Sequence, residues 1–379
     1  MVTPLWRLSS FYFLYFASIG ALVPYWSFYL KDLGFSSLEI GQLFSTLALS
    51  KIVAPYLWGW IADKTGFHIR IVRITSFLAI CCFIPLIWSE TYWSILSGML
   101  VFSFFWNAAL PQFEVITLNR LGENRHRYSQ IRLWGSLGFI FTVVVFGALF
   151  EWIALDWLPL LLVIIFFFIW ATSMTIAEAS PRISGSVNIF SVLRKPQVVA
   201  LLLACFLMQA SHGPYYTFFT IYMQELEYQS FSIGLLWSLG VAAEVLVFMV
   251  MHRIMKRIHA ARLMMISLLL TSVRWVLTAI FPENIFLIVL AQCLHAASFG
   301  VFHASAIHMI HEFFPNHQGR GQALYASVSF GAGGAIGSLY SGFMWDFYAP
   351  MTTFLVAAGI ALLGAGVSYF IYQRRSALT

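Results

Sequence analysis

The sequence predicts an all-α integral membrane protein, with twelve transmembrane helices in two pseudo-symmetric six-helix bundles. Three observations predict it: the composition, a ladder of apolar runs and an internal repeat. Hydrophobic residues make up 60% of the 379, and Asp, Glu, Lys and Arg together only 9%. A soluble domain carries about a quarter charged residues, so most side chains here must face lipid or one another. The 37 Phe, 16 Tyr and 14 Trp supply rings of the kind that settle at membrane–water interfaces.

A spanning helix needs about 20 mostly apolar residues. On that template six spans fall at residues 8–30, 37–62, 70–88, 92–119, 130–152 and 156–178. A polar break holding Pro181, Arg182, Gly185, Arg194 and Lys195 follows, then six more spans at 197–223, 231–253, 260–281, 284–313, 319–344 and 350–373. The predicted organisation is a first bundle 1–178, a cytoplasmic linker 179–196 and a second bundle 197–379. Loops on one side carry Lys64, Arg70, Arg73, Arg120, Arg125, Arg127, Arg253, Lys256, Arg257, Arg320, Arg374 and Arg375. Loops on the other carry Lys31, Asp32, Glu90, Glu151, Asp156, Glu225, Glu227, Glu283 and Asp346. The positive-inside rule then places both termini in the cytoplasm of a bacterial-type inner membrane. The run after Arg7 is too long for a signal-peptide core and lacks a small-residue cleavage site, so it reads as the first span of the mature chain.

The formal charge of +6 does not indicate nucleic acid, because the basic residues are confined to short loops between apolar runs. Cys81, Cys82, Cys205 and Cys293 all lie inside apolar stretches, with no disulfide framework and no metal-ligand spacing. No cofactor is expected.

The repeat appears at a constant offset of 193 residues, which pairs Ser18 with Ser211, Gly20 with Gly213 and Tyr29 with Tyr222. The same offset pairs Leu33 with Leu226, Ser37 with Ser230, Ile40 with Ile233 and Gly41 with Gly234. Parallel repeats of this kind are typical of proteins that rock two halves about a midplane site.

The loop after span two reads Gly59-Trp-Ile-Ala-Asp63-Lys64-Thr-Gly66, with Arg70 following. It resembles the G-x-x-x-D-[RK]-x-G signature of the major facilitator superfamily, whose fold is the predicted one; its glycines permit a tight turn and Asp63 can accept from neighbouring helix ends. The matching loop of the second half, His252 to Arg257, has no acidic residue. From Glu114 through Tyr128, Gln130, Arg132, Trp134, Gly135, Ser136 and Gly138 the chain is similar to the oligosaccharide and nucleoside proton symporters. The second half, with Gln209, His212, Tyr215, Tyr216, Trp237, Gly240, Glu244, Arg274, Trp275, His295 and His303, looks most like the phenylpropionate permease branch. Where the lactose-permease relatives carry a proton-coupling glutamate one turn after the span-ten histidine, Ser298 stands here.

Ionisable groups at membrane depth cost at least about 2.5–3.5 kcal/mol, so each is a functional candidate. Lys51 and Glu244 stand at the same 193-residue offset, mid-span in the two halves. They would serve substrate or proton binding, or else pair locally. Glu114 and Arg132 would bind substrate or form a salt bridge that opens and closes. Arg274 would attract an organic anion, or stabilise Glu244 or His295. His212 and His295 suit a proton relay or simple helix–helix hydrogen bonding. Asn107 and Gln209 are added because an unpaired amide in lipid is expensive. No H-E-x-x-H, G-x-S-x-G or paired-carboxylate arrangement suggests an enzyme. The reading is a secondary transporter working by alternating access, a proton-coupled importer of a small organic solute. The resemblance implies an aromatic, phenylpropionate-like carboxylate, with a sugar or nucleoside symporter, or a non-transporting sensor, as the alternatives. Solute, proton and lipid are the only partners expected, of a monomer.

Overall fold

The computed structural model describes residues 4–178, 190–315 and 318–376, and among these every regular element is a helix. The predicted linker 179–196 lies outside the described residues up to 189. Among the described residues eleven helices are long and apolar enough to cross a membrane. In chain order the first six are α1 (Leu5–Asp32), α2 (Ser37–Thr65), α3 (His68–Trp88), α4 (Tyr92–Leu121), α5 (Tyr128–Leu149) and α6 (Leu155–Met174). After a short turn of helix at Phe190–Leu193 come α7 (Pro196–Glu225), α8 (Ser230–Arg257), α9 (Ala260–Ile280) and α10 (Ile285–Phe313). The eleventh predicted span, α11, runs unbroken as Gln318–Ala326, Ser327–Gly333 and Gly334–Phe347. Its Gly and Ser content keeps it out of the apolar count. Helix α12 is Pro350–Ser376.

Two compact units emerge. One joins Met1–Phe35, Leu49–Gly185 and Gln229–Ser238; the other joins Ser36–Ala48, Ser186–Tyr228 and Leu239–Thr379. Helices α2 and α8 therefore each begin in one unit and end in the other. Both units bury large rings, Trp26, Phe83 and Phe102 in one and Tyr215, Phe218 and Trp275 in the other, and turn further bulky apolar residues outward. In the second unit Leu246, Met249 and Leu363 are 66–69% exposed, an outer apolar surface that suits lipid. Trp88, Trp93, Trp152 and Trp157 stand exposed at the acidic-loop end, Trp6 and Trp60 at the basic-loop end, as interfacial belts require.

In the first unit α1 lies against α5 at glycines. A Cβ on Gly138 would fall 2.0 Å from the Phe13 carbonyl oxygen, and one on Gly20 would fall 2.7 Å from that of Phe139. Backbone cannot yield as a flexible side chain can, so Gly138→Ala is expected to pry α1 from α5 and destabilise the protein by about 1–3 kcal/mol. Gly359→Ala meets nothing within 4 Å and is expected to melt like the wild type in a detergent thermal-stability assay.

The basic-loop end of α6 is held by cations from three other helices. Arg7 donates to the Thr175 carbonyl at 2.8 Å and Arg73 to that of Ile176 at 2.8 Å, while Arg120 donates to Ala177. Helix carbonyl ends lack intrahelical donors and carry negative partial charge, which guanidinium groups neutralise. Glu178 completes the clamp by accepting from the Ile69 amide at the start of α3 at 3.0 Å.

In the second unit α7, α9, α10 and α12 enclose a core of Leu201, Met208, Met264, Leu268, Phe302 and Ile310. Three of its helices are irregular at membrane depth. Helix α7 breaks at His212, between Pro196–Ser211 and Gly213–Glu225, because Pro214 has no amide hydrogen to continue the ladder. Helices α10 and α11 widen into π-helical stretches at Ala296–Val301 and Ser327–Gly333. Such stretches are frequent at functional sites.

Candidate transport site

Arg274 is the centre of the second unit's polar interior. It sits on α9 with no solvent exposure, its guanidinium carbon 4.2 Å from the ring centre of Tyr215 and 4.4 Å from that of Trp275. Nη1 donates to His295 Nδ1 and to Ser298 Oγ, both at 3.0 Å, and Nη2 donates to Gln292 Oε1 at 3.3 Å. Tyr215 donates to the same Gln292 oxygen at 3.0 Å. Gln292, His295 and Ser298 recur every third residue, so α10 presents them on one face. The stretch at Ala296–Val301 begins just after His295.

Because His295 Nδ1 accepts from a guanidinium, its ring proton belongs on Nε2. That nitrogen faces Glu244 Oε2 at 3.7 Å. Two glycines let α8 come close enough. A Cβ on Gly240 would touch His295 at 3.4 Å, and one on Gly300 would meet Val247 at 2.8 Å and Glu244 Cγ at 3.4 Å. The result is an ordered chain from cation to imidazole to carboxylate, Arg274–His295–Glu244, spread over three helices.

His212, at the break in α7, donates from Nδ1 to the Met208 carbonyl at 2.8 Å and brings Nε2 within 3.4 Å of Ser298 Oγ. Both expected histidines and Arg274 are thus in one cluster. Two buried donors in it, Arg274 Nε and Gln292 Nε2, make no hydrogen bond with the described residues. An unpaired buried donor costs about 1–3 kcal/mol, so the cluster is short of acceptors. Gln209 is also buried on α7, but its Cβ flanks Gly333.

The first unit carries a second group. Glu114 on α4 lies 4.0 Å from Arg132 Nε on α5 and accepts from Tyr128 at 3.2 Å. The Arg132 guanidinium lies over the Phe16 ring at 3.9 Å. Both side chains of the ion pair are about one-third exposed, so the pair contributes little to folding. Lys51 on α2 is half-buried and has no hydrogen bond or ion pair with the described residues. Asn107 donates to Ser50 at 2.7 Å and joins α4 to α2.

The signature loop closes at Gly66, whose φ of +74° is reached freely only by glycine. Asp63 lies 3.7 Å from His68 Nε2, and His68 Nδ1 lies 2.9 Å from Gln112 Oε1. The acidic residue is thereby tied across to α4, where a Cβ on Gly59 would sit 3.3 Å from Gln112 Nε2. Lys64 stands over Trp60 at 5.0 Å and Arg70 over Phe67 at 4.0 Å.

The MFS_1 like family model matches residues 5–356. A curated relative named "Probable 3-phenylpropionic acid transporter", from Escherichia coli (strain K12), is 28% identical over 363 residues, covering 93% of each chain. "Maltose permease" from Geobacillus stearothermophilus is 25% identical over 375 residues, covering 96% of this chain and 93% of that one. The solved structure of the nucleoside transporter NupG shares the fold, with a TM-score of 0.84 at 19% identity over 97% of this chain and 98% of that one. The chain belongs to the MFS_1 like family and is a multi-pass membrane transporter of the major facilitator superfamily, not an enzyme.

Proposed function

We propose that this transporter couples inward proton movement to the import of a small organic acid, with an aromatic carboxylate as the substrate class. The observation that carries the reading is the Arg274–His295–Glu244 chain, in which a buried cation lying against two aromatic rings reaches a carboxylate through one imidazole. A substrate carboxylate supplies the acceptor that Arg274 Nε and Gln292 Nε2 lack, and the rings of Tyr215 and Trp275 suit an aromatic body. Glu244 is the carboxylate of this three-residue relay and takes the proton. The printed name of the Escherichia coli relative points to the same substrate class. The two sequence bundles work by alternating access in a bacterial-type cytoplasmic membrane, with both termini cytoplasmic and the monomer as the functional unit.

A second reading rests on Glu114 and Arg132, a carboxylate and guanidinium that suit hydroxyl groups equally well; a sugar or nucleoside would then be the solute. Uptake into proteoliposomes under an inward proton gradient, with aromatic acids, disaccharides and nucleosides compared, tests the choice. Accumulation of the aromatic acids alone is expected; accumulation of a sugar or nucleoside alone would overturn the substrate class. Lys51, in the first compact unit, is an anion contact of its own in this account. A hydrogen bond to a charged group is worth about 1.5–3 kcal/mol, so Lys51→Met is expected to raise the half-saturating acid concentration at least about tenfold. Initial-rate uptake measures it, and an unchanged value would remove Lys51 from anion binding.

A further inference from the structure

The start of α2 and the start of α8 are held in the same way at the acidic-loop end of the protein. The Leu38 amide donates to Asp346 Oδ2 at 2.8 Å and the Ser37 amide to Oδ1 at 3.0 Å. The Phe231 amide donates to Glu151 Oε1 at 3.0 Å. Leu38 and Phe231 are equivalent in the 193-residue repeat, yet Asp346 ends α11 and Glu151 follows α5. One turn inward the likeness continues through glycine. A Cβ on Gly41 would lie 2.6 Å from the Ser338 carbonyl oxygen, and one on its repeat equivalent Gly234 would lie 2.5 Å from that of Val143. From the opposite side, Gly342 meets the Ser37 carbonyl oxygen and Gly147 meets that of Ser230, both at 2.6 Å.

The result is two seams of one design, α2 with α11 and α8 with α5, each closed by backbone against glycine and locked at its tip by a carboxylate on a helix N-terminus. Each seam lies inside one compact unit. Each also joins helices from opposite halves of the sequence, since α2 changes unit after Ala48 and α8 after Ser238. Separation of the two halves at the acidic-loop end cannot occur with either seam intact. The amides at a helix start have no intrahelical acceptor and lie at the positive end of the dipole, so an ionised carboxylate is the strongest lock available to a side chain there.

We infer that Asp346 and Glu151 are paired latches of the outer gate, holding both seams shut until the solute path opens to the acidic-loop side. The inference rests on the alternating-access reading but not on the substrate or the proton. The latches are unequal. Asp346 accepts two amides, and an Asn there offers an acceptor to only one of them. Glu151 accepts one, and a Gln there still can.

The test needs no substrate. The full chain, with its four native cysteines replaced and Ser338→Cys introduced into one seam, is labelled from the outside with a membrane-impermeant maleimide. Hydrogen–deuterium exchange is read in parallel over residues 36–44 and 229–237. A helix cap shifts a two-state equilibrium by about fivefold. Asp346→Asn is expected to raise labelling about fivefold and exchange at the α2 end, Glu151→Ala to raise labelling and exchange at the α8 end, and Glu151→Gln to do less than Glu151→Ala. The double variant should multiply the two labelling gains. Faster exchange without faster labelling would show that the carboxylates only cap helices, and no change in either would show that they hold nothing; both overturn the inference. Should Asp346→Asn fail to reach the membrane, Glu151→Ala carries the test through the same two readouts.

Discussion

Glu244→Gln is expected to abolish uphill accumulation of the acid while exchange of labelled for unlabelled acid across the membrane continues. Glutamine keeps the length of the side chain and an oxygen facing His295 Nε2, which lies 3.7 Å from Glu244 Oε2, but it cannot gain or lose a proton. Each unit of pH difference is worth about 1.4 kcal/mol per proton, and so about tenfold accumulation by a one-proton symporter. The variant should bring the accumulation ratio down to unity whatever gradient is imposed. Counterflow in proteoliposomes with no gradient reads the step that survives. Full accumulation by Glu244→Gln would remove this residue from coupling.

Arg274→Lys is expected to be almost as damaging although it preserves the charge. The guanidinium reaches His295, Ser298 and Gln292 at once and lies against two rings, whereas an ammonium is a compact point charge that cannot reproduce that fork. Loss of two charge-assisted hydrogen bonds, at about 1.5–3 kcal/mol each, predicts at least about a hundredfold fall in uptake efficiency. His295 Nδ1 would also lose the donor that fixes its tautomer, so the remaining transport should lose its coupling to the proton gradient. Wild-type accumulation by Arg274→Lys would show that the cluster is packing and not the solute site.

The fold was legible from the chain because lipid is a demanding solvent: every backbone group must be satisfied inside a span, and the apolar runs therefore mark helices directly. Predicted spans at 37–62 and 92–119 became helices Ser37–Thr65 and Tyr92–Leu121. Span five, expected at 130–152, ends at Leu149, since Glu151 and Trp152 already turn toward the next helix. The run 197–223 gave no sign of its break, although Gly213-Pro214 marks the place. Within the candidate site, charge at membrane depth pointed to Arg274, Glu244, His212 and His295. Gln292 was not foreseen, because a single amide looks like any other polar residue until its partner on α9 is known. Its spacing from His295 and Ser298 was the available signal. The carboxylate latches were hidden for the same reason: Glu151 and Asp346 read as loop charges, and their amide partners lie 80 and about 308 residues away.

The most direct measurement of the central claim is proton flux at the moment of solute addition. Proteoliposomes carrying the transporter, with no initial gradient and a pH-sensitive dye inside, receive an aromatic monocarboxylate such as 3-phenylpropionate, with protein-free liposomes as the control for passive entry of the neutral acid. Proton symport predicts acidification of the lumen and alkalinisation of the medium beyond the control, abolished by Glu244→Gln. Uptake of the acid with no proton movement beyond the control, or equal proton movement with Glu244→Gln, would contradict it.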